Sequence, residues 1–232
     1  MGTSFIRICE SARGSSARRG SGTLRLALLC VLPALACALP ALAQSRCTPP
    51  PHGAAPACGV HCGTEGWPVK TMSDSDASRV NLLDTLRYTV GDMRALARPK
   101  ALAMSRRSSA ERHVYRVHAD LLAWTQEADS DLHLVIATHG HTRTTMIAEV
   151  PDSLCEGVCS SRVHGDIASA RRAVVAALGH PPKSSFHAFT PPKQVVITGI
   201  AFFDCVHGGS GQRGHAPTNI ELHPVLRIDF GP

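Results

Sequence analysis

Asp166-Ile167-Ala168-Ser169-Ala170-Arg171-Arg172-Ala173-Val174-Val175-Ala176-Ala177-Leu178-Gly179 is the one stretch in the carboxy-terminal half of this chain with a helical repeat. Ile167, Ala170, Val174, Ala177 and Leu178 recur at three- and four-residue intervals, which at 3.6 residues per turn lines them along one face. Asp166 reads as the N-cap, and Gly179 followed by Pro181-Pro182 reads as the stop. A single helix here matters because everything around it alternates with the period of a strand.

Upstream, Tyr115, Val117, Ala119, Leu121 and Ala123 alternate with Arg116, His118 and Asp120, the pattern of a half-buried strand. On that alternation Trp124 falls on the polar side, where it is a candidate to line a ligand groove. Residues 132–138 form a second strand with Leu132, Leu134 and Ile136 on one side. His139-Gly140-His141 turns the chain into a third at 144–150. Downstream, residues 194–204 read as a fourth strand, with Gly199 marking a bulge or sharp coil. Residues 219–230 are a fifth, with Ile220, Leu222, Leu226, Ile228 and Phe230 on one side and Glu221, His223, Arg227 and Asp229 on the other. Pro224 is a place where a bulge can shift that register.

The order is therefore β-β-β-α-β-β. That is the order of a mainly β, OB-like five-stranded barrel, whose helix sits between strands three and four; a sandwich would continue in strands. The expected organisation is a signal peptide at 1–43, a Cys/Pro/Gly-rich arm or linker at 44–66, a short helical and loop region at 67–112, and the barrel domain at 113–232. The helical expectation for 67–112 rests on Val80, Leu83, Leu86, Val90, Met93 and Leu96, spaced three or four apart.

The amino terminus reads as an export signal. Arg7, Arg13, Arg18, Arg19 and Arg25 precede an apolar run at 26–43 that ends in Ala41-Leu42-Ala43, so cleavage is expected before Gln44. A retained anchor ranks lower, since the 18-residue run is close to the shortest that spans a bilayer. Lipoprotein attachment at Cys37 ranks lower still. No second run of that length follows. The expectation is a chain without a membrane span after signal removal, in the periplasm or outside the cell.

Export changes two counts. Of 24 basic and 18 acidic residues, the five arginines and Glu10 lie within 1–43, which leaves a net charge of +2 rather than +6. That is too little for a strong nucleic-acid footprint, which also needs exposed aromatic platforms. Six cysteines remain: Cys47, Cys58, Cys62, Cys155, Cys159 and Cys205. An even number in an oxidising compartment reads first as disulfides, with pairing left open. The two C-x3-C pairs are a zinc alternative without the usual C-x2-C spacing.

The segments Trp67-Pro68-Val69-Lys70-Thr71, Asp131-Leu132-His133-Leu134-Val135-Ile136, Thr145-Met146-Ile147-Ala148-Glu149-Val150-Pro151, Thr198-Gly199-Ile200-Ala201-Phe202-Phe203-Asp204 and Ile220-Glu221-Leu222-His223-Pro224-Val225 resemble a group of exported bacterial proteins. The resemblance covers roughly residues 65–230. It implies bacterial origin and export. It implies no reaction and no catalytic residue, because that group has no established activity.

Chemistry enters through acid–histidine pairs. Asp131 and His133 are two residues apart, as are Glu221 and His223, so each pair shares a strand face. Asp204 and His207 close the fourth strand. Converging carboxylates and imidazoles can hold a divalent ion that polarises an ester or activates water; alternating polar residues also simply suit a solvent-facing strand. The glycine-rich segment 207–214 joins two strands and lacks the helix that a phosphate loop opens. No Gly-x-Ser-x-Gly elbow stands between a strand and a helix. The reading is an exported binding module, non-enzymatic rather than enzymatic, with an extracytoplasmic ligand (oligosaccharide, nucleic acid or protein surface) and no required cofactor. The alternatives are a metal-assisted hydrolase built on Asp131, His133, Asp204, His207, Glu221 and His223, and a structural envelope protein.

Overall fold

The structure, a computed structural model, describes residues 62, 63, 66–100, 107–183, 185–205 and 214–231. The signal expected at 1–43, Cys47, Cys58, His207 and nearly all of the glycine-rich segment lie outside the described residues.

The chain is mainly β, with one six-stranded sheet and few helices. A short helix α1 (Trp67–Lys70) precedes β1 (Asn81–Tyr88), helix α2 (Val90–Arg94), β2 (His113–Gln126), β3 (Leu132–Thr138) and β4 (His141–Val150). Helix α3 (His164–Leu178), β5 (His187–Phe203) and β6 (Ile220–Phe230) complete it. Pairing runs β2–β3 and β3–β4 antiparallel, β4–β6 parallel, and β6–β5 and β5–β2 antiparallel. The hydrogen bonds thus close a ring through five strands. One edge of β2 is shared: residues 113–117 pair with β1 in parallel, and residues 119–126 pair with β3.

The ring interior is the main core. Leu132, Leu134, Ile136, Met146, Ala148, Val150, Ile197 and Leu222 are each completely buried there, as strict alternation requires of positions facing one side. Ala170 and Val174 of α3 and Val90 and Met93 of α2 pack into the same cluster. The expected helix is present, ending at Gly179, whose φ of 85° needs no Cβ-bearing residue to be strained. It begins three residues earlier than expected. Val163 is the N-cap and provides no side-chain bond, while Asp166 sits in the first turn, where its charge faces the helix dipole favourably.

Three expectations need correction. Residues 81–88 are a strand, not a helix, and Leu83, one of the spaced apolar residues, is almost fully exposed. The helix starts only at Val90, where Thr89 and Asp92 make a capping box. Trp124 is not in a groove: it is 1% exposed and belongs to the ring core. The register of β2 shifts between Leu121 and Ala123 against both partners, and this bulge moves Trp124 to the inward side. A second irregularity, between β5 and β6 around Gly199, puts Val225 rather than Leu226 into the main core. A Cβ on Gly199 would sit 3.0 Å from the Pro224 carbonyl oxygen, so the bulge expected at this glycine is there because the two backbones approach so closely.

A second apolar cluster lies on the outside of the ring. Trp67, Met72, Ala77 and Val80 from the amino-terminal layer and Cys155, Val158 and Val163 from the segment after β4 pack on Val114 and Ile200 of the sheet. A Cys62–Cys155 disulfide joins the two covering segments, and Cys159 and Cys205 are also disulfide-bonded. The disulfide expectation therefore holds for Cys62, Cys155, Cys159 and Cys205, and the C-x3-C zinc alternative does not. Arg107 anchors the layer. It is buried against Asp74 and donates to the carbonyls of Val69 and Glu111. Among the described residues no helix is long and apolar enough to cross a membrane.

Candidate functional site

Alternation that fills the ring with Leu132, Leu134, Ala148 and Leu222 necessarily turns His133, Glu149, Glu221 and His223 outward. Outward does not mean exposed here, because the amino-terminal layer covers this part of the sheet. His133 and Glu149 stand directly opposite each other on β3 and β4. Glu221 follows on β6 beside Ile147. Asp131 just before β3 and Asp204 just after β5 complete the row, and all of these side chains are buried.

The contacts are close. His133 Nδ1 lies 2.8 Å from Glu127 Oε1 and 2.9 Å from Glu149 Oε1. His223 Nδ1 lies 3.0 Å from Glu149 Oε2 and 3.2 Å from Glu221 Oε1, and its Nε2 lies 3.2 Å from Asp131 Oδ2. Lys70, at the end of α1, reaches down to within 3.9 Å of Asp204 Oδ1. Two sets of potential ligand atoms fall within 4.8 Å of one another: Glu127, His133 and Glu149, and Asp131, Glu149 and His223. Asp131 Oδ1 and His133 Nε2 have no hydrogen bond, while Asp131 Oδ2, His133 Nδ1 and His223 Nε2 are held in the ion pairs above without hydrogen-bond alignment.

A cavity of about 340 Å³ opens against this row. Its floor is His133, Glu149 and Glu221. The β2–β3 loop contributes Glu127 and Asp129, the β5–β6 connection contributes His215, and Trp67 and Lys70 come from the covering layer. Gly157 lets the covering segments close, since a Cβ there would lie 2.8 Å from Thr71 Oγ1, and its φ is 86°.

Carboxylates outnumber cations in this pocket, and the proton affinities follow. Burial pushes Asp131 up to about 6, although His223 opposes it. Burial and the neighbouring charge of Glu149 push Glu221 up to about 7. Burial also opposes ionisation of Glu149, but the two imidazoles beside it hold it well below the usual carboxylate range. His133 is raised to about 10 against burial by Glu127 and Glu149, and His223 is raised by Asp131, Glu149 and Glu221. Lys70 is raised by Glu221, Glu149, Asp204 and Asp131 despite its burial.

Five of the six sequence candidates, Asp131, His133, Asp204, Glu221 and His223, thus meet in one place, and His207 lies outside the described residues. Glu149, Lys70, Glu127, Asp129 and His215 are additional members. Glu149 was within reach of sequence reasoning only through strands read at 132–138 and 144–150 and paired end to end. A tight turn at His139-Gly140 alone would set Met146 opposite His133, and the irregularity between Ala137 and Thr138 moves Glu149 there. Lys70 carried no such signal, since it arrives from a separate layer. The chain matches no protein-family model, no curated protein and no solved structure.

Proposed function

We propose that this protein is an exported, OB-like module that binds a divalent transition-metal ion at Asp131, Glu149 and His223. The observation that carries the proposal is the convergence of two buried carboxylates and a buried imidazole within 4.8 Å, with Asp131 Oδ1 lacking a hydrogen bond. Crowding buried carboxylates together is costly even beside imidazoles, and a divalent ion offsets that cost while using the same lone pairs. Mixed nitrogen and oxygen donors suit zinc, manganese or iron(II) better than calcium, which takes oxygen alone.

The OB-like reading is supported by the ring order β2-β3-β4-β6-β5 with α3 between its third and fourth strands in sequence. The cavity lies where the β2–β3 loop and the β5–β6 connection meet the β3–β4 face, the region with which OB-folds grip ligands. An acid-lined pocket argues against nucleic acid as the ligand, because phosphates would meet like charge. Export is supported by the residue pattern of 1–43 and by the disulfides.

The test is titration of chelator-stripped mature protein with Zn²⁺, Mn²⁺ and Ca²⁺, read by calorimetry and thermal unfolding. Zinc or manganese at a hundredfold excess over its Kd stabilises by about 2.7 kcal/mol. Asp131→Asn and His223→Ala abolish the effect. No uptake of any ion overturns the proposal and leaves a structural envelope role. A second reading, metal-assisted hydrolysis, is favoured by Glu221, which lines the cavity beside His223 and can accept a proton from water. Turnover of an ester or phosphodiester, lost in Glu221→Gln with metal retained, separates the two readings.

A further inference from the structure

Glu149 stands between two imidazoles. Its Oε1 lies 2.9 Å from His133 Nδ1 and its Oε2 lies 3.0 Å from His223 Nδ1, so each oxygen serves a different histidine. The first histidine has its own further carboxylate, with Glu127 Oε1 at 2.8 Å. Resting on the metal-binding reading above, we infer that the pocket holds a second divalent ion, at Glu127, His133 and Glu149, and that Glu149 bridges the two ions.

The surroundings of His133 support the second site, and the exposure of Glu127 says how it would load. His133 is 5% exposed at its side chain and lines the cavity; its Nδ1 meets Glu127 and Glu149 as ion pairs without hydrogen-bond alignment, and its Nε2 has no hydrogen bond. An imidazole nitrogen and two carboxylate oxygens crowded at 2.8–2.9 Å without hydrogen-bond alignment are the arrangement a shared ion would resolve. Glu127, by contrast, is 41% exposed on the β2–β3 loop at the cavity edge. The outer ion therefore loads and exchanges through the cavity, while the inner site, with Asp131 and His223 at no measurable exposure, exchanges slowly. Carboxylate-bridged pairs of ions typically lie about 3.5–4 Å apart, which a single glutamate spans. The donor set again selects zinc, manganese, cobalt(II) or iron(II).

The experiment is a calorimetric titration of the metal-free mature protein with Mn²⁺, combined with electron paramagnetic resonance of the loaded protein. The wild type takes up two ions per chain, and their exchange coupling broadens the Mn²⁺ signal. Glu127→Gln, an exposed loop change whose folding is checked by thermal unfolding, takes up one ion and shows an uncoupled six-line spectrum. One ion in the wild type overturns the second site and leaves the metal-binding reading standing. Two ions in both proteins overturn the assignment to Glu127. No ion in either overturns both readings.

Discussion

Replacing Asp74 with Asn tests the layer that roofs the site. The Arg107 and Asp74 side chains have no exposed surface. Arg107 Nε donates to Asp74 Oδ2 at 3.0 Å, and Nη2 lies 2.8 Å from the same oxygen. Nη1 donates to the Glu111 carbonyl at 3.2 Å and Nη2 to the Val69 carbonyl at 2.6 Å. Removing the carboxylate charge leaves the guanidinium buried with carbonyls only, a change that costs about 3–5 kcal/mol, whereas a surface pair is worth up to about 1. Asp76 and Glu111 remain nearby and raise the affinity of the place for a cation, so the expected loss is about 3 kcal/mol. Total stability of a domain is about 5–15 kcal/mol, so the loss is large. Val69 belongs to α1, which carries Trp67 and Lys70 over the cavity, so the roof loosens together with the pair. Urea unfolding followed by circular dichroism measures the stability. Trp67 emission, in a Trp124→Phe background that removes the other tryptophan, moves to the red. A loss under about 1 kcal/mol with unmoved emission refutes the claim that this pair anchors the layer. The double change Asp74→Leu with Arg107→Met restores most of the stability, because an apolar pair bears no desolvation cost.

Trp124→Ala costs about 3–5 kcal/mol in urea unfolding through core packing alone, with metal affinity unchanged in the folded fraction. Cys62→Ser with Cys155→Ser opens a link between residues 93 apart and lowers stability by about 4.6 kcal/mol on the loop-entropy scale, seen as a fall in the urea midpoint. Lys70→Met removes a cation set among four carboxylates and tightens divalent-ion binding about tenfold by calorimetry. Asp120 accepts from His139 Nδ1 at 2.7 Å and from Gly140 N at 2.9 Å. Burial opposes its ionisation, but these bonds hold it below its usual 3.8. A depressed carboxylate adds stability that is present above the unfolded value and is lost as pH falls through the folded one. Asp120→Asn therefore lowers stability at neutral pH by about 1 kcal/mol and flattens its decline below pH 4.

The helix and the positions of all five ring strands were legible because each follows from its own residues. Ile167, Ala170 and Val174 have only to repeat every turn, and Leu132, Leu134 and Ile136 every second residue. The same local logic placed Asp131 beside His133 and Glu221 beside His223. It failed where phase changes within a strand. The bulge between Leu121 and Ala123 moved Trp124 inward, and the irregularity near Gly199 exchanged Leu226 for Val225, since an inserted residue changes the face of everything after it. It failed too at 81–88, where an apolar spacing of three suits a helix but edge pairing with β2 supplied hydrogen bonds to a strand.

By itself, then, the sequence determined the five ring strands and the helix among them, their order, and which pairs of polar residues share a strand face. Only the tertiary structure decided that these pairs form one buried row. Ring closure sets His133 against Glu149 and Glu221 against Ile147, and the Cys62–Cys155 link and Arg107 bring Trp67 and Lys70 over them. The physical reason is range: periodicity acts over a few residues, whereas the desolvation and charge crowding that give the pocket its chemistry arise between segments as far apart as Lys70 and Glu221.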